Sequence, residues 1–212
     1  MEIILASNSS RRKEIFSRLF PTYRSLSPDC AELSSEQYGA GDVEFFTLQN
    51  AQMKGNAIFE KKPIQYGWII SCDTAIATLT HIIGKPTREY DAIEMLKKLS
   101  GTTHRVVSSV AMIRIRDHYS MQRICFSDTT FVTFTPLSDD DMLSYMQTYR
   151  PFDKAGGYGI QEVPSHFIAS VDGSVWNVVG FPIEKFCKKM QYLDVQLSKE
   201  KCNEFNSLNR GQ

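Results

Sequence analysis

The run Trp68-Ile69-Ile70-Ser71-Cys72 constrains this chain more than any other stretch. An apolar run of this length without alternation reads as a buried strand, and it delivers Asp73 at its carboxyl end. Ile3-Ile4-Leu5-Ala6 is a second such run, and Tyr23 to Ser27 suggests a third strand, stopped by Pro28. Helical patterns lie between and after them. Residues 10–20 place Ile15, Phe16, Leu19 and Phe20 on one side, and residues 42–60 form a weakly amphipathic helix. Ala92, Met95, Leu96 and Leu99 recur at helical spacing, with Gly101 as the C-cap. Residues 75–83 read as a short β segment turning at Gly84. Long β-rich runs cover 104–116 and 121–135, and Ser138 caps a helix whose buried stripe is Met142, Tyr145, Met146 and Tyr149. A strand near 166–171 and a last helix over 178–190 complete the order. Interspersed strands and helices predict an α/β fold with a mixed sheet and flanking helices.

Composition narrows the function classes. Among 212 residues, 24 basic and 24 acidic side chains cancel, which excludes a generic polyanion coat and predicts no nucleic-acid partner. The 42% apolar and 23% charged fractions are those of an ordinary globular protein. No apolar run reaches the roughly 18 residues that a membrane span needs. Residues 1–5 lack the basic and apolar regions of a secretory leader. Five dispersed cysteines without a C-x-x-C pair predict reduced, mostly buried thiols and a cytoplasmic location. The four histidines have no zinc-ligand spacing. Residues 1–197 read as one domain, and 198–212 as a polar tail that frays.

Four segments carry candidate chemistry. The first, Ala6-Ser7-Asn8-Ser9-Ser10-Arg11-Arg12-Lys13, sets three cations in the first turn of a helix. They oppose the macrodipole, each at a cost of roughly 0.3–1 kcal/mol, unless an anion such as a phosphate chain sits there. The helix after Ser138 instead begins with Asp139, Asp140 and Asp141, so the chain elsewhere follows the rule. The second is Asp73-Thr74, placed where α/β sheets gather ligands; a turn-former is the plainer reading. In the third, Gly84-Lys85-Pro86, a lysine on a stiff turn can serve as a point charge for phosphate, or simply face solvent. The fourth is Asp153-Lys154-Ala155-Gly156-Gly157-Tyr158-Gly159-Ile160-Gln161. Its glycines let backbone approach a ligand, and the Gln161 amide can donate and accept as a base edge requires. A flexible loop is the alternative there.

Taken in order, these segments resemble the Maf proteins, and the resemblance runs from Ile4 to about Met190. It covers Leu5-Ala6-Ser7-x-Ser9-x-Arg11-Arg12, Ser27-Pro28-Asp29 with Glu32, Lys54, Asp73-Thr74 and Gly84-Lys85-Pro86. It continues through Leu99-Ser100-Gly101-x-x-His104, the block at 153–161, and Val179-Gly180-x-Pro182. The resemblance implies a two-lobed fold related to inosine triphosphatases, a homodimer, and hydrolysis of a nucleoside triphosphate to monophosphate and pyrophosphate. The divalent cation implied is Mg2+, with Mn2+ or Co2+ as substitutes. By position, Asp73 is the implied proton acceptor, and Glu32 and Asp73 the implied metal ligands. Ser9, Arg12, Lys54, Lys85 and Lys154 would bind the triphosphate, and Arg11, Thr74 and Gln161 would set base specificity. The block at 153–161 looks like the dTTP and UTP branch rather than the 7-methyl-GTP branch. Only Glu32 and Asp73 are expected to oppose the cations of the cleft.

Three residues depart from the family pattern. Ser10 stands where Pro is usual, Ala31 replaces an acid before Glu32, and Glu162 follows Gln161 where Gly is usual. The rival readings are a pyrophosphatase preferring a methylated guanine nucleotide, and a non-catalytic nucleotide sensor that regulates cell division.

Overall fold

The computed structural model describes residues 1–61, 64–116, 121–193, 202 and 205. Among the described residues, seven strands form one mixed sheet. They are β1 (Glu2–Ala6), β2 (Arg24–Leu26), β3 (Gly67–Ala77), β4 (Ile82–Ile83), β5 (Thr103–Ile115), β6 (Met121–Phe134) and β7 (Ile168–Asp172). The order is β2-β1-β3-β5-β6-β7, with β4 paired to β3. Strand β1 runs parallel to both neighbours, and every other pairing is antiparallel.

Among the described residues, the helices that cover the sheet are α1 (Ser10–Leu19), α2 (Val43–Lys61), α3 (Glu89–Leu99), α4 (Asp139–Tyr149), α5 (Val175–Val179) and α6 (Ile183–Tyr192). Successive strand residues face opposite sides, and β3 and β5 sort the helices accordingly. Ile69, Ala75, Ala77, Val107 and Ile113 pack beneath α2, against Val43, Phe46 and Ile58. On the other face, Trp68, Ile70, Cys72, Val110 and Met112 hold α1 and α6 through Phe16, Leu19 and Phe186. Further along that face, Ile76, Val106, Val132 and Phe134 hold α3 and α4 through Leu96, Leu99 and Tyr145. Two groups of helices therefore share that face, while α2 covers the other.

Several boundaries differ from the sequence reading. Strand β3 does not end at Cys72: its pairing with β5 continues from Gly67 to Ala77, so Asp73 lies in mid-strand. Parallel pairing with β1 stops at Ser71, and β4 takes over only at Ile76. The edge of β3 from Cys72 to Ala75 is thus left open at the end of the parallel strands, and Asp73 and Thr74 occupy that gap. The last helix is two helices, because Gly180 N–H and Phe181 N–H both return to the Trp176 carbonyl and close α5 before Pro182. Residues 165–167 form a 3-10 turn, so β7 begins only at Ile168. Tyr149 falls at the end of α4 and is exposed, outside the stripe of Met142, Tyr145 and Met146. Leu99 ends α3 as expected, with Gly101 at φ 67. Cys202 and Phe205, the described residues of the expected tail, are buried in the cluster under α1 and α6. The rest of 198–212 lies outside the described residues.

Candidate active site

The cleft opens where β1 ends. Ser9, Arg11, Arg12, Lys54, Asp73, Thr74, Lys85 and Lys154 line one cavity of about 80 Å3. It adjoins a wider space of about 470 Å3 that Glu32 also lines. Residues scattered from 9 to 154 thus converge as the sequence reading expected, with Gln161 the exception. Gln161 is exposed and lines a separate recess with Arg11, Trp176 and Val179.

Ser9 is the N-cap of α1; its hydroxyl accepts from the Arg12 N–H at 3.4 Å. No acid stands in that first turn. Arg12 turns back over the gap in the sheet. Its Nε donates to the Gly180 carbonyl and its other guanidinium nitrogen to Thr74 Oγ1, both at 2.9 Å. Thr74 Oγ1 also meets Ser108 Oγ at 2.8 Å, and Ser108 donates to the Asn177 carbonyl at 2.9 Å. Thr74 thereby orients Arg12 and ties it to α5.

Asp73 faces α2. Its Oδ1 accepts from Lys54 Nζ at 2.5 Å, and its Oδ2 from Asn50 Nδ2 at 3.2 Å. Lys54 also reaches Glu32 Oε1 at 2.9 Å. Burial opposes the charge on both Lys54 and Glu32. The ion pairs outweigh it, so the Lys54 pKa is raised by Asp73 and Glu32 and the Glu32 pKa is lowered by Lys54. Asn50 and Lys54 lie one turn apart on α2, so they reach β3 from the same face. Asn50 Oδ1 also accepts from the Leu33 N–H at 2.9 Å, which fixes the loop next to Glu32.

The block at 153–161 is a packed turn rather than a flexible loop. Gly156 has φ 69, donates its N–H to the Gly84 carbonyl at 2.9 Å, and would set a Cβ 2.6 Å from Ile76 Cδ1. That contact binds the Lys85 turn to the Lys154 turn. Tyr158 is buried, and its hydroxyl pairs with His104 Nε2 at 2.7 Å. Lys154 Nζ lies 2.8 Å from Asp153 Oδ1 and 3.1 Å from Glu162 Oε2. The Glu162 contact is an ion pair set off the hydrogen-bonding direction. Arg11 lies 3.8 Å from Asp153, and burial lowers its pKa against that attraction.

The cleft is therefore less one-sided in charge than the sequence implied. Asp153 and Glu162 join Glu32 and Asp73 as partners of its cations, because buried ammonium groups need counter-charges. Among the described residues, Arg12 and Lys85 line the cavity with no carboxylate at ion-pair distance, and both attract Glu32 from farther off. Asn50, Ser108 and Asn177 were not anticipated. Only Asn50 carried a signal, its i, i+4 relation to Lys54.

Among the described residues, no group of three or more His, Cys, Asp or Glu converges as a metal cage. Magnesium is commonly held by one or two carboxylates together with substrate phosphates. Two carboxylates present here, Glu32 and Asp73, both contact the Lys54 ammonium.

Fold and site together define an α/β protein with a cationic cleft at the carboxyl ends of its parallel strands. The sequence profile of the Maf-like proteins matches residues 2–193, and the chain belongs to that family. It is 37% identical over 185 residues to a dTTP/UTP pyrophosphatase of Clostridium beijerinckii, covering 87% of this chain and 95% of that one. It is 39% identical over 186 residues to one of Porphyromonas gingivalis, covering 86% and 89%. Among solved structures it is similar to a HAM1 protein from Coxiella burnetii at 14% identity, with a TM-score of 0.43 over 63% of this chain and 73% of that one. It is also similar to a nucleoside-triphosphatase / dITP/XTP pyrophosphatase from Mycobacterium abscessus at 14% identity, with a TM-score of 0.44 over 90% and 94%.

Proposed function

We propose that this protein hydrolyses dTTP and UTP to the nucleoside monophosphate and pyrophosphate. Arg12 and Lys85, facing the cavity with no carboxylate at ion-pair distance, carry the reading. Relatives bearing this activity by name support it. Arg12, Lys85 and Lys154 hold the triphosphate from three sides, with Ser9 at the helix N-terminus. A phosphate gives Lys54 a third anion to meet, beside Asp73 and Glu32, which frees Asp73 to orient water and take its proton. Water oxygen bonds to the α-phosphorus, the bond from that phosphorus to the bridging oxygen breaks, and pyrophosphate leaves on the lysines. Glu32 and Asp73 would hold Mg2+, with Mn2+ or Co2+ as substitutes. When bound, the ion neutralises phosphate charge. Arg11 faces the base and Thr74 acts on it through Arg12, while Gln161, read from the resemblance as a base contact, lines the recess on the far side of Arg11.

The five cysteines are unpaired, which supports a reducing, cytoplasmic setting. No helix among the described residues is long and apolar enough to cross a membrane. A homodimer belongs to the same reading, and light scattering of the purified chain tests it. The deciding experiment incubates the protein with dTTP, UTP, GTP, 7-methyl-GTP and ATP plus Mg2+, and follows pyrophosphate. Release from dTTP and UTP is expected. Orthophosphate as the first product, or no turnover, overturns the proposal, and preference for 7-methyl-GTP overturns its base assignment.

A further inference from the structure

Asn50 stands where the fold alone would favour an apolar residue. It lies in mid α2, one helical turn before Lys54, among the buried Val43, Phe46, Ala51 and Ile58. Asparagine is a weak helix former, and burying an amide is costly unless its polar ends are bonded. Here both ends are bonded, although the residue is only 2% exposed. Its Oδ1 accepts from the Leu33 N–H at 2.9 Å, and its Nδ2 donates to Asp73 Oδ2 at 3.2 Å. The Leu33 N–H can only donate, so the carbonyl end of the amide must face it and the NH2 end must face Asp73. Asp73 thus receives one donor on each oxygen, both sent from α2: Asn50 on Oδ2 and Lys54 on Oδ1. The two donors differ in setting. Lys54 lines the cavity, where an anion can draw on it, whereas Asn50 is enclosed in the protein interior.

We propose that Asn50 is a positioning residue of the hydrolytic site. It holds Asp73 Oδ2 and stops the carboxylate from rotating, so Oδ1 is the oxygen left to orient water once a phosphate draws on Lys54. Its other end fixes Leu33, the neighbour of Glu32, so one buried amide sets the two carboxylates of the site relative to each other. The proposal rests on the reading of Asp73 as the group that orients water. It adds which oxygen does so and what holds the other.

The test measures kcat and KM for UTP in the full-length protein carrying Asn50→Leu or Asn50→Ser, each alone and combined with Asp73→Asn. Leucine keeps the size without either bond. The serine hydroxyl is too short to span both partners and can turn to its own helix, so the serine variant serves if the leucine variant does not fold. Circular dichroism checks folding in each case. With Asp73 present, kcat is expected to fall about tenfold to a hundredfold, the scale of a misaligned reacting group, with KM little changed. With Asp73→Asn, the same substitutions are expected to change kcat by no more than about twofold, because the group they act through is already gone. A purely structural role for Asn50 would cost the same in both backgrounds. Equal losses in the two, a loss confined to KM, or native kcat in a folded variant overturns the proposal. Native protein that releases no pyrophosphate from UTP overturns the hydrolytic reading itself, whereas turnover that survives either folded substitution overturns the role of Asn50 alone.

Discussion

Lys54 Nζ meets Asp73 Oδ1 at 2.5 Å, with each side chain about nine-tenths covered. The pair is the hinge of the site, since Lys54 also holds Glu32 and Asn50 holds the other Asp73 oxygen. Asp73→Asn keeps the size and an acceptor for Lys54, but cannot take a proton. It is expected to fold and to lose roughly 10²–10⁴ in kcat, the usual weight of a general base. Circular dichroism and pyrophosphate release check both halves. Unchanged kcat would remove Asp73 from the chemistry.

Removing the cation instead probes stability. Lys54→Met leaves Asp73 buried with Asn50 as its one remaining donor. Breaking a buried pair from one side costs about 3–5 kcal/mol, and the half-exposed Glu32 places this case at the low end. Urea denaturation is expected to show a loss of about 3 kcal/mol. The double variant Lys54→Met/Asp73→Asn should recover part of it, because the uncompensated charge is gone. A double variant no more stable than the single one would contradict this account.

Much of this arrangement is legible in the sequence, and the limits have physical causes. The apolar run at 68–72 marks a buried strand, and the cations at 11–13 mark an anion site by opposing their own helix. Where β3 ends is not legible, because its extension through Asp73-Thr74-Ala75-Ile76-Ala77 depends on pairing with β5, a non-local fact. The counter-charges on Lys154 were hidden for the same reason: the turn at 155–157 brings Glu162 back onto Lys154. The amide chemistry that marks Gln161 in the sequence says nothing about where the chain aims it. Phe205 stands nearly alone among polar residues, so no periodicity marks it as core.

Arg12 uses both branches of its guanidinium fork, one on a carbonyl and one on a hydroxyl. Lysine cannot satisfy both and still face a phosphate. Arg12→Lys is expected to raise KM for UTP roughly tenfold, about 1.4 kcal/mol, with a smaller change in kcat, the pattern of lost ground-state binding. Steady-state kinetics with pyrophosphate detection separate the two. An unaltered KM would show that Arg12 is a structural tie between α1 and α5.

Glu162 competes with a ligand for Lys154. Lys154 has two carboxylates in reach, and Glu162 is the one nearer the protein interior. Glu162→Gln keeps the shape and removes one negative charge. The expected result is a KM for UTP lowered by about threefold to tenfold, in line with ~1 kcal/mol for a partly exposed pair, and kcat little changed. If KM rises instead, Glu162 positions Lys154 rather than restraining it, and the competition argument fails.

His104 makes stability depend on pH in the mildly acid range. Burial lowers its pKa to about 4 from 6.5, so the folded protein holds the ring neutral against Tyr158. Between those values the unfolded chain binds the proton and the folded chain does not. Stability is thus fully present above 6.5 and falls as pH drops toward 4, by about 3 kcal/mol over the window. The depressed Glu32 carboxyl works in the same direction but only below its unfolded value of 4.5, so the range above 4.5 isolates His104. Urea midpoints measured from about pH 7 to about pH 4.5 should fall steadily in the native protein. In His104→Gln, which retains a partner for the Tyr158 hydroxyl without a titrating ring, the slope should flatten. Equal slopes would mean that other groups set the acid sensitivity.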